Sequence, residues 1–180
     1  MLTILQASSD KHETIVRDLF REYLHWVCPA IQHEFGVSFD AEAVLEHDLA
    51  DLHVFLPPIG RLLLAYDDAA VAGCACVRTI GPQIAEIKRM YVRPAHRRRG
   101  IGRVLAETAI KEMRAAGYST LRLDSARFMT DAHALYRSAG FREIAPYAES
   151  EIPEEFRIHW IFMELSLPDE SFLTPGGRTE

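Results

Sequence analysis

The chain has 180 residues, 48% of them hydrophobic and 26% charged, with a formal net charge of −6, which fits one globular domain large enough for a real hydrophobic core. No apolar run approaches the roughly eighteen residues of a membrane span, and the stretch from Met1 to Asp10 lacks the basic start and apolar segment of a signal peptide, so a cytoplasmic protein without a membrane partner is expected. Three cysteines suit a reducing compartment better than a disulfide framework, and the spacing of Cys74 and Cys76 is no zinc signature, so no metal is expected.

In chain order, Met1 to Ala7 can form a first strand. Ser8, Ser9 or Asp10 then offers an N-cap, with Glu13 as the carboxylate of a capping box. Ile15, Leu19, Tyr23 and Trp26 recur at helical spacing, which predicts a helix to about Trp26 that Pro29 ends or kinks. Asp40 can cap a second helix with Val44, Leu45 and Leu49 on one face. After a turn at Pro57-Pro58-Ile59-Gly60, residues 61–66 and 70–80 read as a hairpin around Asp67-Asp68. Gly81-Pro82 breaks the chain before a strand from Ile84 to Val92, on which alternation puts Glu86, Lys88, Met90 and Val92 on one face. Residues 100–116 make an amphipathic helix with Ile101, Val104, Leu105 and Met113 inward, a Glu107–Lys111 pair outward and Gly117 beyond its end. A strand around Leu121 to Leu123, a short helix over 131–139 stopped by Gly140, and strands at 141–144 and 158–167 complete the domain. The order is βααβββαβαββ, an α+β layout with helices over a mainly antiparallel sheet. Residues 1–167 form the domain, and 168–180 are expected to be a disordered tail.

Charge is unevenly spread. Residues 1–82 carry a net −7, residues 83–145 a net +7 and residues 146–180 a net −6. A basic middle within an acidic chain points to an anionic ligand bound there. Its densest part is Arg97-Arg98-Arg99-Gly100-Ile101-Gly102, between a strand and an amphipathic helix. A helix start presents unpaired N–H groups and a partial positive charge, glycines allow close approach, and arginines add bidentate donors, which together make a pyrophosphate site. A solvated basic turn is the alternative. The loop is neither a nucleotide P-loop, lacking Gly-Lys-Ser/Thr, nor a dinucleotide fingerprint, lacking the third glycine.

Arg97-x-x-Gly100-x-Gly102 resembles the acyl-CoA loop of the GNAT N-acetyltransferase superfamily. The stretch Ala85-Glu86-Ile87-Lys88-Arg89-Met90-Tyr91-Val92-Arg93-Pro94 resembles that family's fourth strand and its exit. Ala134-Leu135-Tyr136-Arg137-Ser138-Ala139-Gly140-Phe141 resembles its last conserved helix and turn. The similarity covers about residues 60–145. It implies a sheet of about seven strands flanked by about four helices and splayed between strands 4 and 5. Acetyl-CoA, as cosubstrate, would lie in the opening, its pyrophosphate on Arg97, Arg98, Arg99, Gly100, Ile101 and Gly102 and its pantetheine arm along Met90, Tyr91 and Val92. The sequence departs from the pattern at Met129, where many relatives carry an Asn that holds the pantetheine; Ser125, Thr130 or water would have to replace that contact.

The activity implied is transfer of an acetyl group to an amine by direct attack on the thioester; an acyl-CoA-binding sensor without turnover is the alternative. Tyr136 matches the family's general acid for the thiolate, with His133 as runner-up. Glu86 stands where histone-acetylating relatives carry their catalytic base, although Lys88 on the same predicted face could make it a structural ion-pair partner. Backbone N–H groups near Met90 to Val92 are the expected oxyanion donors. His96 can reach a phosphate or solvent; His159 and Trp160 can line an acceptor pocket or pack. The acidic flanks point to a cationic or amine-bearing acceptor, a small molecule or a peptide. Nucleic acid is not expected, because the chain is acidic overall and no aromatics interleave with Arg97–Arg99. The oligomeric state stays open, with a homodimer among the alternatives.

Overall fold

The computed structural model describes residues 1–168, so nearly all of the expected tail lies outside the described residues. The strands are β1 (Leu2–Gln6), β2 (Arg61–Asp67), β3 (Ala70–Gly81), β4 (Ile84–Val92), β5 (Thr120–Ala126), β6 (Arg142–Ile144) and β7 (Trp160–Ser166). They form one sheet of order β1-β2-β3-β4-β5-β7-β6. The α-helices are α1 (Ser9–Phe35), α2 (Ala41–Ala50), α3 (Ile101–Ala115) and α4 (Thr130–Ser138). Every ladder is antiparallel except β4–β5, where α3 carries the chain back across the sheet before the next strand begins.

Alternation along the central strands feeds two cores. Leu62 and Leu64 pack with Leu19, Phe20 and Leu45 under α1 and α2, whereas Leu63 packs with Leu105, Met113 and Leu121 under α3. Each such side chain stabilises the fold by about 1.5–3 kcal/mol through burial.

The first helix is longer than expected. α1 runs through Pro29 to Phe35 and stops at Gly36, which takes φ 70 and donates its N–H to the Gln32 carbonyl at 2.9 Å. Pro29 removes the N–H that would have bonded the His25 carbonyl, but both residues are exposed, so water can satisfy that group. Val27, Cys28 and Ile31 keep one buried stripe running past the proline. At the other end Ser8 is the N-cap without a side-chain cap bond; His12 Nδ1 instead accepts the Ser8 N–H at 3.1 Å. Glu13 pairs with Arg17 rather than closing a box. On α3, Glu107 accepts from Arg103 at 3.0 Å, one turn N-terminal, rather than joining the expected Lys111 pair.

β4 carries the feature that shapes the site. Cys76 pairs with Lys88 but Cys74 with Tyr91, so two steps on β3 oppose three on β4. The extra residue is a bulge at Arg89, whose φ of 50 lies in the left-handed region. The expected common face of Glu86, Lys88, Met90 and Val92 is therefore wrong. Met90 and Val92 pack on the α3 side together with Ile87, while Tyr91 joins the α1–α2 core. Lys88 and Arg89 both remain on the α1–α2 side. The β4–β5 ladder covers only residues 84–87 against 120–123, after which the two strands part and leave an open seam.

Candidate active site

The basic loop ends at the N-terminus of α3. Arg98 and Gly100 take φ 62 and 80, left-handed positions that turn successive N–H groups toward one side. Among the described residues, none of the backbone N–H groups from Arg98 to Arg103 donates a hydrogen bond, and Val104 N–H makes the first helical bond, to Gly100. Six free donors at a helix start make an anion cradle. The arginines are less uniform than the sequence suggested. Arg97 donates to the Val92 carbonyl at 2.9 Å, and its guanidinium lies 5.3 Å from the Trp26 ring and 5.8 Å from that of Tyr91. His96 and Arg99 both reach Asp67, at 3.1 and 2.8 Å, and their hydrogen bonds lower the pKa of its carboxyl. Arg98 makes no ion pair among the described residues. Ile101 is buried in the α3 core, so only its backbone faces a ligand.

Loop and seam adjoin. A Cβ on Gly102 would stand 3.1 Å from Leu135 Cδ1, 3.7 Å from Met90 Cε and 3.9 Å from Val92 Cγ2, so this glycine lets α3 settle onto β4 and α4. A cavity of about 470 Å³ opens where β4 and β5 part, walled by α1, α2, both strands, the start of α4 and the segment around Glu151. Tyr136 and Met90 line it, and the Tyr136 hydroxyl donates to Met90 Sδ at 3.6 Å. Burial pushes the Tyr136 phenol up, keeping it protonated. His133 is buried, touches Ser125 Oγ at 3.1 Å, and burial lowers its pKa, favouring the neutral ring.

A buried ionic network lies at the base of the seam. Glu86 is 0% exposed and does not line the cavity. Its Oε1 accepts from the Tyr147 hydroxyl at 2.6 Å and its Oε2 from Arg78 Nη2 at 2.7 Å. Lys88, expected beside Glu86, instead lies 3.5 Å from Asp124 and 3.3 Å from Glu151. Burial pushes the Glu151 carboxyl up, but Lys88 and Arg78 together outweigh it and hold it at about 2. Asp48 of α2 receives Arg89 in a two-point contact, including Nη2 at 2.9 Å.

The acetyltransferase (GNAT) family model matches residues 17–141. The chain belongs to the GNAT acetyltransferases. It is 34% identical over 137 residues to an uncharacterized N-acetyltransferase of Schizosaccharomyces pombe, covering 75% of this chain and 79% of that one. An acetyltransferase of the GNAT family from Staphylococcus aureus superposes with a TM-score of 0.72 at 19% identity, covering 93% of this chain and 100% of that one. The PaiA N-acetyltransferase of Thermoplasma acidophilum, solved in complex with coenzyme A, superposes with a TM-score of 0.68 at 20% identity, over 92% and 99% of the two chains. The fold is thus one that binds CoA in its relatives.

In this acetyltransferase the free donors of the loop fit a pyrophosphate. Met129, in the place of the family's Asn, lines the cavity and receives Ser125 Oγ at Sδ, 3.5 Å away. Trp160 lines the cavity, while His159 stacks on Phe35 at 4.6 Å. Among the described residues no cluster of His, Cys, Asp or Glu could hold a metal ion, and no helix is long and apolar enough to cross a membrane. Sequence reasoning missed Asp48, Arg89, Asp124, Tyr147 and Glu151. Asp48 carried a signal: it lies three residues after Leu45 on the inner face of α2, an acid on an apolar stripe, and is 7% exposed.

Proposed function

We propose that this enzyme moves the acetyl group of acetyl-CoA directly onto an amine. The CoA pyrophosphate sits on the Arg97–Gly102 loop, the pantetheine arm enters the β4–β5 seam, and Tyr136 donates a hydrogen bond and then a proton to the departing sulfur. The observation that carries this reading is the adjacency of six free N–H donors to a cavity into which a protonated, buried phenol projects. The bulge supports it further. Arg89 and Met90 have no register partner on β3; the Arg89 carbonyl accepts from the Cys74 thiol at 3.3 Å, and the Met90 backbone is the one this scheme offers to the thioester oxygen and the pantetheine amides.

Glu86 serves as a structural anchor in this scheme, because both of its oxygens are engaged away from the cavity. The acceptor nitrogen attacks the carbonyl carbon, the C–S bond breaks, the amine loses a proton to solvent and the sulfur gains one. Incubation with acetyl-CoA and a panel of amines, followed by thiol release and product mass, tests the proposal. Release with at least one amine is expected. Tight acetyl-CoA binding with no release from any amine would establish the sensor reading instead.

A further inference from the structure

The cavity is larger than a thioester requires, and its lining has a composition that selects an acceptor. We infer that the acceptor is a free apolar α-amino acid, its carboxylate held by Arg89 and its side chain by the apolar wall of α1, α2 and β7. The inference rests on the acetyl transfer proposed above and names its substrate class.

Arg89 is the first ground. The bulge turns it into the cavity beside Lys88, at the cost of a left-handed backbone that a non-glycine residue rarely adopts. Asp48 holds Nε and Nη2 from behind. Nη1 makes no hydrogen bond among the described residues, and the Arg89 side chain lines the cavity and is 15% exposed, which leaves that edge open to a ligand. A guanidinium fixed on one edge and open on the other suits a carboxylate.

The second ground is what the amine would meet. Asp48 is taken by Arg89, and Asp124 by Lys88 and by the Ser150 hydroxyl at 3.2 Å. Glu151, held at about 2 between Lys88 and Arg78, is too weak a base to take a proton from an ammonium. A lysine-type amine near 10.4 would therefore arrive almost wholly protonated. The α-amine of a free amino acid is more basic than the near-8 amine of a peptide terminus, because its carboxylate lies beside it, but less basic than a lysine side chain, so it arrives neutral more often than a lysine does. The surrounding wall is apolar and aromatic: Tyr23, Leu24, Val27, Val44, Ile152 and Trp160 line it. Carboxylate anchor, α-amine and apolar side chain together describe an apolar amino acid. A peptide N-terminus lacks the free carboxylate, and the charged acceptor suggested by the acidic flanks would find every cleft acid already paired.

The test is steady-state thiol release with L-leucine and L-phenylalanine against their carboxamides and against a dipeptide beginning with the same residue. An amide lowers the basicity of its α-amine, so discrimination against it must come from the carboxylate contact. In the wild type, kcat/KM for the free amino acid should exceed that for the amide and the dipeptide at least tenfold. Arg89→Gln should bring the ratio near one by raising KM for the acid, with the acetyl-CoA Kd within twofold. The double variant Asp48→Asn/Arg89→Gln, which leaves no buried charge unpaired, should behave the same way. Equal or better turnover of amide or dipeptide by the wild type would overturn the assignment while leaving acetyl transfer intact. Acetyl-CoA binding with no release from any amine would overturn both.

Discussion

Tyr136 and Glu86 were both candidate proton carriers in the sequence, and their surroundings separate them. Tyr136 packs its ring 5.8 Å from that of Phe141 and presents its hydroxyl to the cavity. Tyr136→Phe keeps the packing and removes only the donor. It should lower kcat about a hundredfold while the CoA Kd, measured by calorimetry, stays within twofold. An unchanged kcat would remove Tyr136 from the chemistry. Glu86 makes two short contacts at the foot of the seam, so Glu86→Gln should act on stability. Losing one charge of a buried pair costs about 3 kcal/mol, seen as a lower urea midpoint. The pH profile of kcat/KM should keep its shape at temperatures where the variant is folded. Disappearance of an acidic limb would make Glu86 the base after all. The sequence could not separate these roles. Tyr147 and Arg78 reach Glu86 from other elements, and strand alternation says which face a residue takes but not what waits there.

Among the elements, the loop-to-α3 junction offers the sharpest test of the CoA site. Gly100 and Gly117 bracket α3 with φ of 80 and 83, and a Cβ at either would meet nothing within 4 Å. Aspartate at either carries a similar backbone cost of about 1 kcal/mol. Only at position 100 does it also place an anion in the cradle. Gly100→Asp should weaken CoA binding at least tenfold, and Gly117→Asp should not; equal Kd values in titrations of the two variants would place the pyrophosphate elsewhere. Most of these elements were legible because their signals are local. Hydrophobic period, an Asp cap and a glycine stop suffice for α2 and α3. The two misreadings of backbone course, at Pro29 and at Arg89, share a cause: each was a local rule overruled by tertiary contact. Pro29 is tolerated because α1 keeps a buried stripe beyond it. The bulge at Arg89 is fixed by the register against β3 and by Asp48 across the cleft, neither of which appears in the strand's own sequence.

Seen whole, the molecule divides its sheet in order to admit a ligand, and it must hold the halves together without the ladder bonds that β4 and β5 forgo beyond Ile87 and Leu123. The ionic network does this. Arg78 comes from β3, Glu86 and Lys88 from β4, Asp124 from β5, and Tyr147 and Glu151 from the connection between β6 and β7. Glu151 ties the far half to both cations, and its carboxyl is held below its unfolded value. A depressed carboxyl contributes stability that is fully present above its unfolded pKa of about 4.5 and lost as pH falls through its folded value of about 2. Glu151→Gln removes that contribution at every pH. Its side chain is 41% exposed, so solvent screening keeps the effect modest, about 2–4 °C in Tm. The gap in Tm between wild type and variant should be constant from pH 7 to about 5, shrink as pH drops below about 4.5, and nearly vanish by about pH 2. Scanning calorimetry of both proteins across that range reads it directly. A gap that persists unchanged to the lowest pH would mean that Glu151 acts through packing, and that the seam is held by Glu86 and Asp124 without it.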